Sequence, residues 1–268
     1  LYGMTIHDHA GWADEHVALV GSLHELDREL GRIPHSPLVF IEYAAGGPVE
    51  AFAELFDEIS ACEHVSACVD VGHVGIFEAR RRFRRRHPDR ELWSLRPDSP
   101  DLPDLLPELQ AAVTAGLPTT LELVERVSAW GKPVHLHLHD GHPLSTFSEY
   151  GVRDHLSFLQ PMVLPFEHAG QRTVPLLYGP EGLARIVGGA LGSPARDGLS
   201  FMLEIHPVRG REPLGEHVDL FAHWTDLTNA ERMNRWLGVL AENLQLLRSA
   251  LSRPANGEAA AAEPRRAP

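Results

Sequence analysis

Between Val134 and His139 apolar residues and histidines alternate without a break: Val134-His135-Leu136-His137-Leu138-His139. Alternation is the period of a β-strand, whose successive side chains point to opposite faces. Val134, Leu136 and Leu138 therefore share one face, and His135, His137 and His139 the other. Asp140 and His142 follow at once, so four imidazoles and a carboxylate fall within eight residues. Such a cluster is costly unless something binds there. Neutral imidazole is a ligand for zinc, copper, iron and nickel, and carboxylates add oxygen donors. Cation binding is the chemistry expected here. A solvated strand face that happens to carry histidines is the plainer alternative.

Partners for this cluster must come from other elements. Gly3 to His7 reads as a short strand, and Glu15 to Leu30 carries apolar residues at helical spacing until Gly31 and Pro34 stop it. Leu38 to Ile41 is a buried-strand run ending in Glu42, and Pro48 opens a helix to about Ala61. Val65 to Val69 is the next strand, followed by Asp70-Val71-Gly72-His73, and a helix is expected from about Ile76. Five prolines interrupt residues 92–119, which predicts an inserted loop with at most short helical pieces. Thr119 to Trp130 reads as a helix ended by Gly131, and the histidine strand follows. Residues 141–180 form a second long excursion, with Arg153-Asp154-His155 and Glu167-His168 inside it. Pro180 to Leu191 is helical, and Leu199 to Leu203 is a strand running into Glu204-Ile205-His206. A long helix, Thr228 to Leu251, is predicted to bury Met233, Trp236, Leu237, Leu240, Leu244 and Leu247. Residues 253–268 are rich in Ala, Pro and Glu and read as a disordered tail.

Strands alternating with helices predict a parallel sheet. A polar residue stands where each of the five strands stops: His7, Glu42, Asp70, His137 and Glu204. Functional residues gather at the C-terminal strand ends of a (β/α)8 barrel. The fold expected is therefore an α/β (β/α)8 TIM barrel over residues 1–252. Five strands are convincing where a barrel has eight, so the barrel is read as incomplete at its N-terminus, with insertions at about 92–119 and 141–180.

Glu42, Asp70, His137 and Glu204 could meet at one divalent ion. Three carboxylates and one imidazole suit Mn2+, Mg2+ or Co2+, and Zn2+ is compatible. His73, three residues after Asp70, could bind a second ion or hold a substrate hydroxyl. His206 shares the parity of Glu204, and His7 competes with His9 for a place at the mouth. His135 is expected deeper in the barrel, hydrogen-bonded and not ligating. His139 and Asp140 are candidates for orienting a ligand from behind.

Glu42 after its buried strand, Asp70-x-x-His73, His137-x-x-Asp140 and Glu204 together resemble the xylose-isomerase-like barrel superfamily. That group holds sugar isomerases, ketose 3-epimerases, inosose dehydratases and the endonuclease IV type of DNA-repair enzyme. The resemblance covers roughly residues 3–250. It implies that Glu42, Asp70, His137 and Glu204 hold one metal, that Glu42 and Glu204 also move protons, and that His73 contacts substrate. The activity implied is isomerisation or epimerisation of a sugar or sugar phosphate through a metal-stabilised enediolate. Dehydration of a cyclic polyol, nuclease action and a non-enzymatic binding barrel are the alternatives.

Composition narrows the partners. A formal charge of −13 argues against a broad nucleic-acid surface. The local exception is Arg80 to Arg90, with seven arginines, read as a solvated helix face, an anion site or a subunit contact. A homo-oligomer is compatible with the last of these. No run approaches the ~18 apolar residues of a membrane span. The first residues, with His7, Asp8 and His9, lack the apolar core of a secretory signal. Two cysteines, Cys62 and Cys68, make no disulfide framework, so a reducing cytoplasm is expected.

Overall fold

A computed structural model describes residues 2–7, 12–43, 47–91, 100–139, 166–168, 171–173, 178–195, 198–203, 228 and 230–252. The elements run β1 (Gly3–His7), α1 (Trp12–Leu30), β2 (Leu38–Glu42), α2 (Val49–Glu58), β3 (Val65–Asp70), α3 (Val71–Arg86), α4 (Leu102–Thr114), α5 (Gly116–Ser128), β4 (Val134–Leu138), β5 (Phe166–His168), β6 (Gln171–Thr173), α6 (Gly179–Leu191), β7 (Leu199–Leu203) and α7 (Ala230–Leu251). Strands β1, β2, β3, β4 and β7 form one parallel sheet in that order, curled into a half-barrel. β5 and β6 pair separately as an antiparallel hairpin.

The alternation read from the sequence decides which face does what. Val39, Ile41, Val65, Ala67, Val69, Val134, Leu136 and Leu138 point to one face and join the main hydrophobic cluster. Helices close over that face with stripes at helical spacing: Val49, Phe52, Ala53 and Phe56 on α2, Leu123, Val124 and Val127 on α5, Leu183, Ile186, Val187 and Ala190 on α6. The opposite face is the polar face of the half-barrel. Register partners in a parallel sheet share a face, so His7, Glu42, Cys68, His135 and Ser200 form one row across it. Asp70, His137 and Met202 form the next row toward the C-terminal strand ends.

Three expectations need correction. The arginine helix begins at Val71, not near Ile76: Asp70 caps it directly, its side chain accepting the His73 N–H. Residues 100–119 hold more than the short helical pieces expected: the 13-residue α4 and the start of α5. Pro103 and Pro118 fall in first turns, where a backbone N–H has no intrahelical partner to lose. Only Pro107 sits inside α4, and that helix is held by burying Leu105, Leu109 and Ala112. Finally, α7 buries Leu247 but leaves Leu237 and Leu244 exposed, so its apolar stripe is covered only in part.

Gly131 does end the α5 region as expected, with φ at +70°, a conformation that glycine adopts without strain. The arginine run is largely neutralised by acids. Arg81 pairs with Glu78 and Glu50, Arg84 with Glu91, Arg86 with Glu108, and Arg90 with Asp101. Arg82 donates to the Ala115 carbonyl, tying α3 to the turn before α5. Among the described residues, no helix is long and apolar enough to cross a membrane.

Candidate metal centre

The polar face of the sheet ends in a buried cluster. Glu42 closes β2, Asp70 closes β3, and His137 lies in register beside Asp70 on β4. All three side chains are buried, and one donor atom from each lies within 4.8 Å of the other two. His137 Nδ1 is 3.4 Å from Glu42 Oε2 and 4.0 Å from Asp70 Oδ2. His7, half-exposed on β1, brings Nε2 to 3.5 Å from Glu42 Oε2. Three neighbouring strands thus deliver one donor each, and the sheet register holds their spacing.

Asp70 does two things at once. Its Oδ1 accepts the His73 backbone N–H at 2.9 Å and lies 2.6 Å from His139 Nε2. A carboxylate at a helix N-terminus is also favoured by the helix dipole. With Oδ1 occupied, Oδ2 turns inward, 3.3 Å from His73 Nδ1. His73, in the first turn of α3, has Nδ1 3.1 Å from the Tyr43 carbonyl. A carbonyl only accepts, so Nδ1 carries the hydrogen and Nε2 the lone pair.

His139, the candidate for orienting a ligand from behind, is fully buried with its Nε2 against Asp70 Oδ1. Its ring fits because Gly72 has no side chain. A Cβ built on Gly72 would stand 1.7 Å from His139 Cε1. Sequence reasoning passed over Gly72, and also Cys68, which shares the inward face with Asp70 two residues on. The period of the strand was signal enough for Cys68; nothing in the sequence pointed to Gly72. His135 is deeper and hydrogen-bonded, as expected, with Nδ1 2.7 Å from Ser200 Oγ and its ring against Phe40. Glu204, His206 and Asp140 lie outside the described residues.

The donor set fits a divalent cation. Two carboxylates buried side by side repel unless a positive charge is shared between them. Glu42 Oε1 is buried and accepts no hydrogen bond among the described residues. A second group, Asp70, His73 and His139, also places three donor atoms within 4.8 Å of one another.

Burial holds the His73 imidazole below the ordinary histidine value, and His139 acts the same way; Asp70 and Glu42 pull the other way without prevailing. The sign of its effect on stability follows. The unfolded chain, with a histidine value near 6.5, takes up the proton first as pH falls. Stability from this group is complete above that value and is lost below it, until the folded-state value is reached. The slope is at most ~1.4 kcal/mol per pH unit. Urea unfolding at about pH 7.5 and about pH 5.5 is expected to show a lower midpoint in acid, and the His73→Gln variant a smaller drop. Burial also pushes the Cys68 thiol up to about 12.

No family model, curated protein or solved structure matches this chain.

Proposed function

We propose that this chain is a divalent-metal-dependent isomerase or epimerase acting on a sugar or sugar phosphate. The observation that carries the reading is the convergence of Glu42, Asp70 and His137 from three strand ends onto one buried point. By resemblance, Glu204 is the fourth ligand and the second proton carrier. Mn2+, Mg2+ and Co2+ suit the oxygen-rich set best, and Zn2+ is compatible.

The ion would supply a Lewis acid that polarises the substrate carbonyl and offsets the negative charge of an enediolate. The rest falls to the chain. Glu42 offers Oε2 toward His137 and keeps Oε1, which accepts no hydrogen bond among the described residues, to take the proton from the carbon beside the carbonyl. Glu204 returns a proton to the neighbouring position or to the opposite face. His73, with its lone pair on Nε2, accepts a substrate hydroxyl. His7 stands at the half-exposed edge beside Glu42, where it meets the part of the substrate nearest solvent. His206 is assigned to substrate on its place after Glu204, and Asp140 to support of a ligand. Glu42 is itself buried, so the base is shielded from bulk water.

Pairing of the arginines with acids counts against the nuclease alternative, since a phosphate backbone needs uncommitted positive charge. No membrane partner is assigned, and the cytoplasm is the compartment proposed.

The test is exchange of substrate α-hydrogen with deuterated water, followed by NMR over a panel of ketoses and ketose phosphates with added Mn2+. Exchange is expected with the parent chain. It should fall at least ~1,000-fold in Glu42→Gln, since removing a positioned base costs ~10²–10⁴. Undiminished exchange in Glu42→Gln would remove the assignment of the base.

A further inference from the structure

Beneath the oxygen-rich cluster, on the same inward face, lies a different set of donors. Cys68 and His135 are register partners on β3 and β4, and His137 is two residues further along the same face of β4. The sulfur of Cys68 and one nitrogen from each histidine all lie within 4.8 Å of one another. Cys68 and His137 are buried and His135 is half-buried. The two histidine rings meet edge to face, with centroids 5.0 Å apart.

His135 is oriented from behind. Ser200 Oγ holds its Nδ1 at 2.7 Å, and Phe40 lies against the ring at 5.5 Å. Holding the ring through one nitrogen is how metal-ligating histidines are supported. In the tautomer whose Nδ1–H donates to the Ser200 hydroxyl, Nε2 carries the lone pair that would ligate. The donor set is one sulfur and two nitrogens with no oxygen. That is the preference of zinc and cadmium, not of manganese or magnesium, and cobalt accepts either set. In tetrahedral zinc sites the donor atoms stand about 3.3–3.8 Å apart, so three donors within 4.8 Å of one another close by at most about 1.5 Å. His135 is only half-buried, and Met202, in register beside His137 on β7, is 46% exposed.

Both donor sets need His137. A neutral imidazole has one lone pair, so His137 serves one ion at a time. We propose that Cys68, His135 and His137 form a sulfur-containing site for thiophilic divalent ions, and that an ion there takes His137 away from the Glu42–Asp70–His137 centre. The competition rests on the metal-centre reading given under Proposed function; the sulfur site itself does not. Binding converts the thiol to a metal-bound thiolate and releases its proton to solvent, with no change of oxidation state. The consequence is inhibition: zinc or cadmium displaces the manganese that the hard centre holds.

The experiment has two arms on the whole chain. Cobalt titration, read by absorption, is expected to give a near-ultraviolet sulfur-to-cobalt charge-transfer band that saturates at one equivalent. The band should vanish in Cys68→Ala and persist in Cys62→Ser. In His135→Gln it should need at least ~10-fold more cobalt, one lost ligand costing ~1.4 kcal/mol or more. The second arm follows bound Mn2+ by electron paramagnetic resonance. One equivalent of Cd2+ should release Mn2+ from the parent and not from Cys68→Ala. Circular dichroism and thermal unfolding check that Cys68→Ala is folded, and His135→Gln serves if it is not. Cobalt bound without the band, or a band unchanged in both variants, overturns the sulfur site. Cadmium binding that leaves Mn2+ in place overturns the shared histidine. A parent chain that binds cobalt through sulfur but never binds Mn2+ overturns the metal-centre reading and the competition, and upholds the sulfur site.

Discussion

Asp70→Ala is expected to lower stability by about 3 kcal/mol and to abolish divalent-ion binding at the strand ends. Two losses add up. The α3 N-cap, the hydrogen bond from the His73 N–H to Asp70 Oδ1, is worth about 1 kcal/mol. The His139 Nε2 contact at 2.6 Å is fully buried, and an unmet buried donor costs about 1–3 kcal/mol. Against these stands one gain, relief of the repulsion between Asp70 and Glu42. For a chain of this size the net change should lower Tm by about 10 °C. Asp70→Asn separates structure from chemistry. Its amide oxygen still caps α3 and faces His139, while its amide NH2 replaces the carboxylate oxygen that stands 3.3 Å from His73 Nδ1. A loss of about 1–2 kcal/mol is expected, with Mn2+ affinity down by ~100-fold or more, or ~2.7 kcal/mol. Calorimetry of Mn2+ binding and thermal unfolding measure the two effects independently. If Asp70→Asn binds Mn2+ as the parent does, Asp70 is a cap and nothing more.

Gly72→Ala should be nearly as damaging, although an alanine ordinarily strengthens a helix by about 1 kcal/mol over glycine. The new methyl would sit 1.7 Å from His139 Cε1 and 2.2 Å from Nε2. The ring cannot flex away from an overlap of that depth; it must leave. Overpacking costs about 1–3 kcal/mol, and His139 also loses Asp70. The net expectation is a loss of about 2–4 kcal/mol and a fall of ~10–100-fold in metal affinity, the size seen when the group supporting a ligand is removed. His139→Ala removes the obstacle. In the double variant Gly72→Ala/His139→Ala the alanine at 72 should cost nothing further and show its helix preference instead. Denaturant unfolding of the two single variants and the double closes the cycle. A cost under about 1 kcal/mol for Gly72→Ala alone would mean that the ring is not packed on Gly72.

Much of this arrangement is legible in the amino-acid order, for a plain reason. Side-chain period is local, so Val134 to Leu138 announces its two faces without help from the rest of the chain. The five strands of the main sheet, and Glu42, Asp70 and His137 at their ends, are read the same way. What hides from local pattern is whatever depends on contact between distant segments. Pro107 looks like a breaker until Leu109 and Ala112 are seen buried in the fold. The helix after Asp70 looks delayed because Gly72 and Gly75 are poor helix formers; the Asp70 cap and full burial of Val71 and Val74 outweigh them. Gly72 gains its meaning only from a ring 67 residues away. Leu237 and Leu244 show the converse, a clear helical stripe that is not covered where they lie.

Every strand of the main sheet lies beside the strand made just before it in that sheet. Translation therefore never has to wait for a distant partner: each new strand docks on a surface already built, as expected of chains that fold from the N-terminus during synthesis at about 5–20 residues per second. Glu42, Asp70, His73, His137 and His139 are all made by residue 139, 60 residues before β7 begins at Leu199. A cation captured once they have emerged would brace the nascent sheet while β7 is still being made.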